Sequence, residues 1–208
     1  MEYRCCKIEK NLTIDGDLGK PEWKKAEAVM LADTVTGGRP IRSTELKLLR
    51  SGEFLYAAFR CEDDYVCATM TGYNDKLYEE DVVEIFIDDD GDRKTYIEIE
   101  VNPLNAVLHY YIQNSPGTGF LQFARVNKAV RSAVLREEGD KAFSVELAIP
   151  FTEFVTAKNS PPEKGDRWLM NLYRIDRAKN GAVEYSAWSP TGEAKFHIPQ
   201  KFGELIFD

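Results

Sequence analysis

Asp81-Val82-Val83-Glu84-Ile85-Phe86-Ile87-Asp88-Asp89-Asp90-Gly91-Asp92-Arg93-Lys94-Thr95-Tyr96-Ile97-Glu98-Ile99-Glu100-Val101-Asn102 reads as two alternating strands joined by an acidic, glycine-containing turn. With a side-chain period of two, Val83, Ile85 and Ile87 share a face with Ile97, Ile99 and Val101. Glu84, Glu98 and Glu100 are left on the other. A five-residue loop that pairs Asp88 with Lys94 sets Glu84 directly opposite Glu98. Like charges so placed destabilise a hairpin by roughly 0.2–1 kcal/mol. The arrangement therefore asks for a compensating cation, a metal or a hydroxyl-rich ligand. The alternative is a shifted register, with solvated carboxylates on an exposed sheet face.

Composition bounds the class. The 208 residues are 43% hydrophobic and 12% aromatic, enough for one substantial core at a size where a β-sandwich is still one domain. Residues 1–208 are accordingly read as a single domain. A net charge of −8 without a basic block argues against nucleic acid, which is bound chiefly through clustered Lys and Arg. No run approaches the roughly 18 apolar residues of a membrane span, so no membrane partner is expected. Met1-Glu2-Tyr3-Arg4-Cys5-Cys6 lacks the apolar core of an export signal. The expected location is the cytoplasm if Met1 is native, and secreted or periplasmic if a leader has been removed. Cys5, Cys6, Cys61 and Cys67 have neither the density of a disulfide scaffold nor zinc-site spacing, and read as plain thiols.

Turn signals recur along the chain, and most runs between them alternate with period two, an all-β pattern. Strands are expected at Glu45–Arg50, Phe54–Glu62, Asp81–Asp88, Lys94–Asn102, Ala106–Gln113, Ala129–Arg136, Ala142–Ile149 and Trp168–Asp176. Glu184–Trp188 and Gly203–Phe207 close the sheet. Helix is confined to short turns at Pro21–Ala26 and Pro150–Phe154, the first opened by its proline. The expected architecture is an antiparallel β-sandwich of two facing sheets.

An ordered set of motifs accompanies this pattern. Ile14-Asp15-Gly16-Asp17-Leu18 precedes Trp23 and Ala26; Thr44–Leu49 and Leu55–Phe59 follow; then come Tyr78-Glu79-Glu80-Asp81 running into Val82–Asp88, and Val101-Asn102-Pro103. Val145–Phe151, Asn171–Asp176, Trp188-Ser189-Pro190 and Phe196-His197-Ile198-Pro199-Gln200-Lys201-Phe202-Gly203 complete it. In order and spacing the chain resembles a family 9 carbohydrate-binding module over nearly its whole length.

The resemblance implies a jelly-roll-like sandwich that binds sugars non-covalently and does no chemistry. Relatives grip the end of a β-linked glucan or xylan chain between two aromatic rings, because the C–H faces of a pyranose are apolar and its rim is polar. Matched motif to motif, Tyr78 and Phe196 stand where the sugar-gripping relatives carry tryptophans, and His197 lies beside Phe196. Glu84 matches a carboxylate that hydrogen-bonds sugar hydroxyls, in agreement with the alternation above. Glu100 stands where relatives can carry an Arg, so a donor has become an acceptor. Arg174, on the opposite parity from Asn171 and Tyr173, offers either a positive partner for the carboxylates or a buried structural pairing. Modules of this kind often carry structural calcium, for which Asp88, Asp90 and Asp92 are the candidates. The glutamate that ends a twelve-residue calcium loop is missing, however, because Ile99 stands there.

Two other readings stay open. Glu84, Glu98, Glu100 and Asp81 supply the paired carboxylates that glycoside hydrolysis requires. A triad nucleophile has little support, since the chain has 2 histidines, His109 and His197, and no Gly-x-Ser-x-Gly elbow. An assembly domain that binds no sugar is the third reading. The expected partner is an oligo- or polysaccharide, served together with a separate glycoside hydrolase.

Overall fold

The computed structural model describes residues 1–115, 119–137 and 141–208. One sheet runs β9 (Gly119–Ala124), β8 (Val107–Ser115), β7 (Thr95–Val101), β6 (Val82–Asp88), β12 (Arg167–Arg177), β14 (Gly203–Phe207) and β1 (Glu2–Lys7). The other runs β10 (Arg131–Arg136), β11 (Ala142–Pro150), β5 (Phe54–Glu62), β4 (Thr44–Arg50) and again β1. Short strands β2 (Val29–Met30), β3 (Ala32–Asp33) and β13 (Val183–Ala187) attach to β4, β13 and β12. β1 joins the two sheets: Glu2–Cys5 pair parallel with β14, while Cys6 and Lys7 pair parallel with β4. The remaining pairings described are antiparallel.

Alternation decides what lies between the sheets. Val83, Ile85 and Ile87 of β6, Ile97, Ile99 and Val101 of β7, and Met170 and Leu172 of β12 face Leu46, Leu48, Ala57, Phe59, Val145 and Leu147 of the second sheet. This is the main core, and it contains the hairpin face expected from the sequence. Every residue of β6 is buried, because the outer face of its sheet is covered as well. Leu77, Ala106, Phe196 and Phe202 pack there on Val82, Phe86, Tyr96, Leu108, Tyr173 and Ile175. A doubly covered strand needs apolar residues at both parities, which is why Val82 and Phe86 interrupt the polar face.

The N-terminal segment covers the outer face of the second sheet with Ile8, Leu12 and Trp23. It is tied down by Glu146 of β11, which is fully buried. Its carboxylate accepts from the Asp15 and Gly16 amides at 3.0 and 3.1 Å, from Trp23 Nε1 at 2.9 Å and from Lys20 Nζ at 2.7 Å. The Asp15-Gly16-Asp17 turn thus serves packing. Gly16 has φ +85°, and a Cβ there would lie 3.0 Å from the Leu135 backbone nitrogen.

The hairpin register differs from the expected one. Glu84 faces Glu100, and Phe86 faces Glu98. The connection is longer because the turn's own aspartates close it. Asp88 accepts from the Gly91 and Arg93 amides at 2.6 and 2.8 Å, and Asp92 from those of Lys94 and Thr95 at 2.6 and 3.0 Å. A shift of two residues keeps every side chain on its expected face. The carboxylate face is buried, however, not solvated. Short 3₁₀ turns at Pro21–Lys25 and Phe151–Glu153 match the expected ones, and two more lie at Leu77–Glu79 and Pro199–Lys201. All four cysteines are free thiols.

Candidate functional site

The outer face of β12, β6, β7 and β8 carries two rows of side chains. One runs Tyr173, Glu84, Glu100, Leu108; the other brings Phe86, Glu98 and Tyr110 side by side. Glu84 is 2% exposed, Glu98 3% and Glu100 0%. One carboxylate oxygen from each lies within 4.8 Å of the others. Glu84 Oε1, Glu98 Oε2 and both oxygens of Glu100 have no hydrogen-bond partner. Burial, then the charge of Glu98, holds the Glu84 carboxyl well above its ordinary range. Burial, then Glu84 and Glu98, does the same to Glu100, and burial pushes Glu98 up to about 7.

Glu84 and Glu98 form part of the floor of a cleft of about 320 Å³, with Tyr78, Phe120, Phe196 and His197 among its walls. Tyr78 sits on the short turn Leu77–Glu79, half-buried. The motif around it holds that turn in place. Glu80 accepts from the Thr69 and Met70 amides at 2.6 and 3.0 Å. Asp81 accepts from those of Cys67 and Arg177 at 2.6 and 2.7 Å, and Asn102 Nδ2 donates to the Met70 carbonyl at 2.8 Å. Phe196 is anchored by the ring of Tyr173, 4.1 Å away and nearly parallel, whose hydroxyl donates to the Phe196 carbonyl at 2.9 Å. Asn171 fixes the start of this segment, giving a hydrogen bond to the Ser189 carbonyl at 2.7 Å and taking one from its amide at 2.9 Å. Glu80, Asp81, Asn102 and Asn171 are therefore supports.

His197 stacks on Phe120 with ring centroids 3.8 Å apart, and its Nδ1 lies 2.8 Å from the Tyr96 hydroxyl. Burial lowers His197 to about 4, so the ring is neutral at pH 7. With Tyr96 donating to Nδ1, the proton sits on Nε2 and is a donor. Past Phe120, Lys195, Phe196 and His197 a second cavity of about 640 Å³ continues toward Asn114 and Gln200. The result is a groove with aromatic walls, carboxyl acceptors at its floor and room for a ligand of several rings.

The structure thus gathers Tyr78, Glu84, Glu98, Phe196 and His197 in one cleft, with Glu100 directly beneath. It does not bring Arg174 there. Tyr173 pairs with Glu84, so Arg174 points to the other face. Its guanidinium donates to Asp176 at 2.6 Å, the Glu62 carbonyl at 2.6 Å, and Asp63 and Thr44 at 3.2 Å. Asp88, Asp90 and Asp92 also present oxygens within 4.8 Å of one another, at the hairpin turn and outside the cleft. Asp90 accepts from the Asp92 amide at 3.1 Å, so all three are engaged in closing the turn. His109 lies with Ile99 on the main-core face, 3.9 Å from Glu153. Phe120 and Gln122 were not apparent from sequence; the aromatic run Phe120–Phe123 was the signal for them.

The sequence matches the family described as carbohydrate family 9 binding domain-like over residues 14–208. The chain belongs to that family. This family 9 domain is similar in fold to a protein from Bacteroides uniformis ATCC 8492 proposed to bind carbohydrate, with TM-score 0.78, 20% identity, and 100% and 99% of the two chains covered. It is also similar to a family 9 carbohydrate-binding module from Caldicellulosiruptor kristjanssonii in complex with cellotriose, with TM-score 0.70, 17% identity, and 100% and 94% covered. For the family 9 module from that organism in complex with glucose the values are 0.67, 18%, and 99% and 95%. No curated protein matches this family 9 domain in sequence.

Proposed function

We propose that this family 9 domain binds carbohydrate without transforming it. On this reading it holds a β-glucan or xylan chain between Tyr78 and Phe196, with Glu84 and Glu98 accepting hydrogen bonds from the sugar and His197 Nε2 donating one. The observation that carries the reading is the convergence of aromatic walls and carboxyl acceptors on one groove. Family membership and neighbours solved with cellotriose and glucose support it. The role is in polysaccharide catabolism, with a separate glycoside hydrolase as the partner that gains local substrate concentration.

Hydrolysis by the domain itself has less support. It needs one ionised and one protonated carboxyl flanking the scissile bond. Glu84, Glu98 and Glu100 stand on adjacent strands on one side of the cleft, and all three are shifted toward the protonated form. Resonance titration of labelled protein with cello-, xylo-, manno- and galacto-oligosaccharides tests the proposal. Saturable shifts near Tyr78 and Phe196 that are lost in Tyr78→Ala are expected. Silence across the panel would rule against the site and leave the fold standing.

A further inference from the structure

Glu100 is wholly buried and neither of its carboxylate oxygens has a partner. The cleft reaches Glu84 and Glu98 but not Glu100, so a sugar ring standing in it leaves Glu100 unserved. A carboxyl in such a place either takes up a proton or stays ionised by pairing or by binding a metal ion. Among the described residues no Lys, Arg or His side chain is placed to pair with Glu100. Lys195, at the rim, lies 3.1 Å from Glu193, and Arg174 is engaged on the opposite face by Asp63 and Asp176.

The geometry suits an ion shared by all three glutamates. Oxygens that each lie 2.3–2.6 Å from one calcium-sized cation are at most about 5 Å apart. Here one oxygen from each of Glu84, Glu98 and Glu100 falls within 4.8 Å of the others. The donor set is carboxyl oxygen throughout, which on losing its protons to a cation selects a hard one over zinc or copper. Its mounting is rigid, because the three residues stand on neighbouring, fully buried stretches of β6 and β7. The hairpin turn differs, since its aspartates already accept backbone amides.

We propose that Glu84, Glu98 and Glu100 bind one hard divalent cation of the calcium class, with its open coordination positions turned toward the cleft. Vicinal hydroxyls of a saccharide complete the shell. Only that last step rests on the saccharide reading; the ion site stands without it.

The test is calorimetric. Protein dialysed against EDTA and freed of chelator is titrated with calcium chloride in the absence of sugar, with magnesium and manganese chloride in parallel. A saturable isotherm for one ion per chain is expected for the wild type, weakened at least about tenfold in Glu100→Gln. Asp90→Asn, at the hairpin turn, binds as the wild type does. Glu100→Gln is isosteric and removes the ionisable carboxyl; circular dichroism verifies its fold, and Glu98→Gln takes its place if it does not fold. The proposal is overturned if none of the three cations is taken up below about 10 mM, beyond the range of weak extracellular calcium sites. It is equally overturned if the isotherm survives Glu100→Gln and disappears in Asp90→Asn. Glucosamine hydrochloride binding in EDTA, abolished by Glu100→Gln, would mean that a ligand ammonium fills the site and would also overturn it. Ion uptake without any oligosaccharide response would sink the saccharide reading alone.

Discussion

The rings of Tyr173 and Phe196 lie 4.1 Å apart at an interplanar angle of 10°, one on the sheet and the other on the segment that covers it. One face of Phe196 is therefore spent inside the protein, and only 9% of the residue is exposed. Tyr78 is half-buried and borders the same cleft, so the two aromatic walls are not equivalent.

Substitution separates them. Tyr78→Ala is expected to weaken oligosaccharide binding about tenfold, the equivalent of one aromatic stacking contact, with a small change in melting temperature. Phe196→Ala is expected to destabilise the domain by about 3 kcal/mol, because it opens a cavity against Tyr173. Titration calorimetry and urea unfolding on both variants check this. Equal effects on stability would contradict the asymmetry.

The bond between Glu146 and the N-terminal cover concerns the fold. Glu146→Ala leaves Trp23 Nε1 and the Asp15 and Gly16 amides without their acceptor, while the Lys20 ammonium keeps the Asp15 carboxylate and the Asp17 carbonyl. A loss of about 3–5 kcal/mol is expected, because three donors lose their acceptor at about 1–3 kcal/mol each. A double-mutant cycle with Lys20→Met apportions it. A coupling near zero would show that the amide and indole bonds to Glu146 act alone.

His109 gives the pH dependence a sign. It is fully buried on the main-core face with neither ring nitrogen bonded, and burial lowers it to about 4. A depressed pKa contributes stability that is present above the unfolded value of about 6.5 and lost as pH falls through 4. Glu153 and Arg125 are the charged groups that face it, and they act in opposite directions. His109→Leu is therefore expected to gain on the wild type by about 3 kcal/mol between pH 7 and pH 4. Chemical denaturation at the two pH values measures the gain; a constant difference would place the titration elsewhere.

Much of this was legible in the chain because parity is robust. The hairpin register slipped by two residues, yet Glu84, Glu98 and Glu100 kept their face, since an even shift preserves alternation. What alternation does not carry is whether a face is covered. The covering of the carboxylate face depends on Leu77, from the turn just before β6, and on Phe196, which arrives from a remote segment. β1 was missed although Tyr3 and Cys5 alternate with Glu2 and Arg4, because the run is short and its parallel partners, the last strand and β4, are remote in sequence. β9 was missed because every residue in it is exposed, so burial left no pattern to read. Among the motif residues, Glu80, Asp81, Asn102 and Asn171 turned out to position loops, a role that sequence spacing does not distinguish from ligand contact.

Arg174 shows how that distinction is tested. Its guanidinium bridges Asp63, Asp176, Thr44 and the Glu62 carbonyl, tying the end of β12 to β4 and to the end of β5. It also lies over the ring of Phe143 at 5.5 Å. Lysine keeps the charge but lacks the planar fork, so it cannot serve these acceptors together. Arg174→Lys is expected to destabilise the domain by about 2–3 kcal/mol, the scale of lost hydrogen bonds to charged groups. Saccharide affinity, measured at a temperature where the variant is folded, is expected to be unchanged, because the side chain points away from Glu84. A loss of affinity in a fully folded Arg174→Lys protein would instead mean that the main-core face communicates with the cleft through β12.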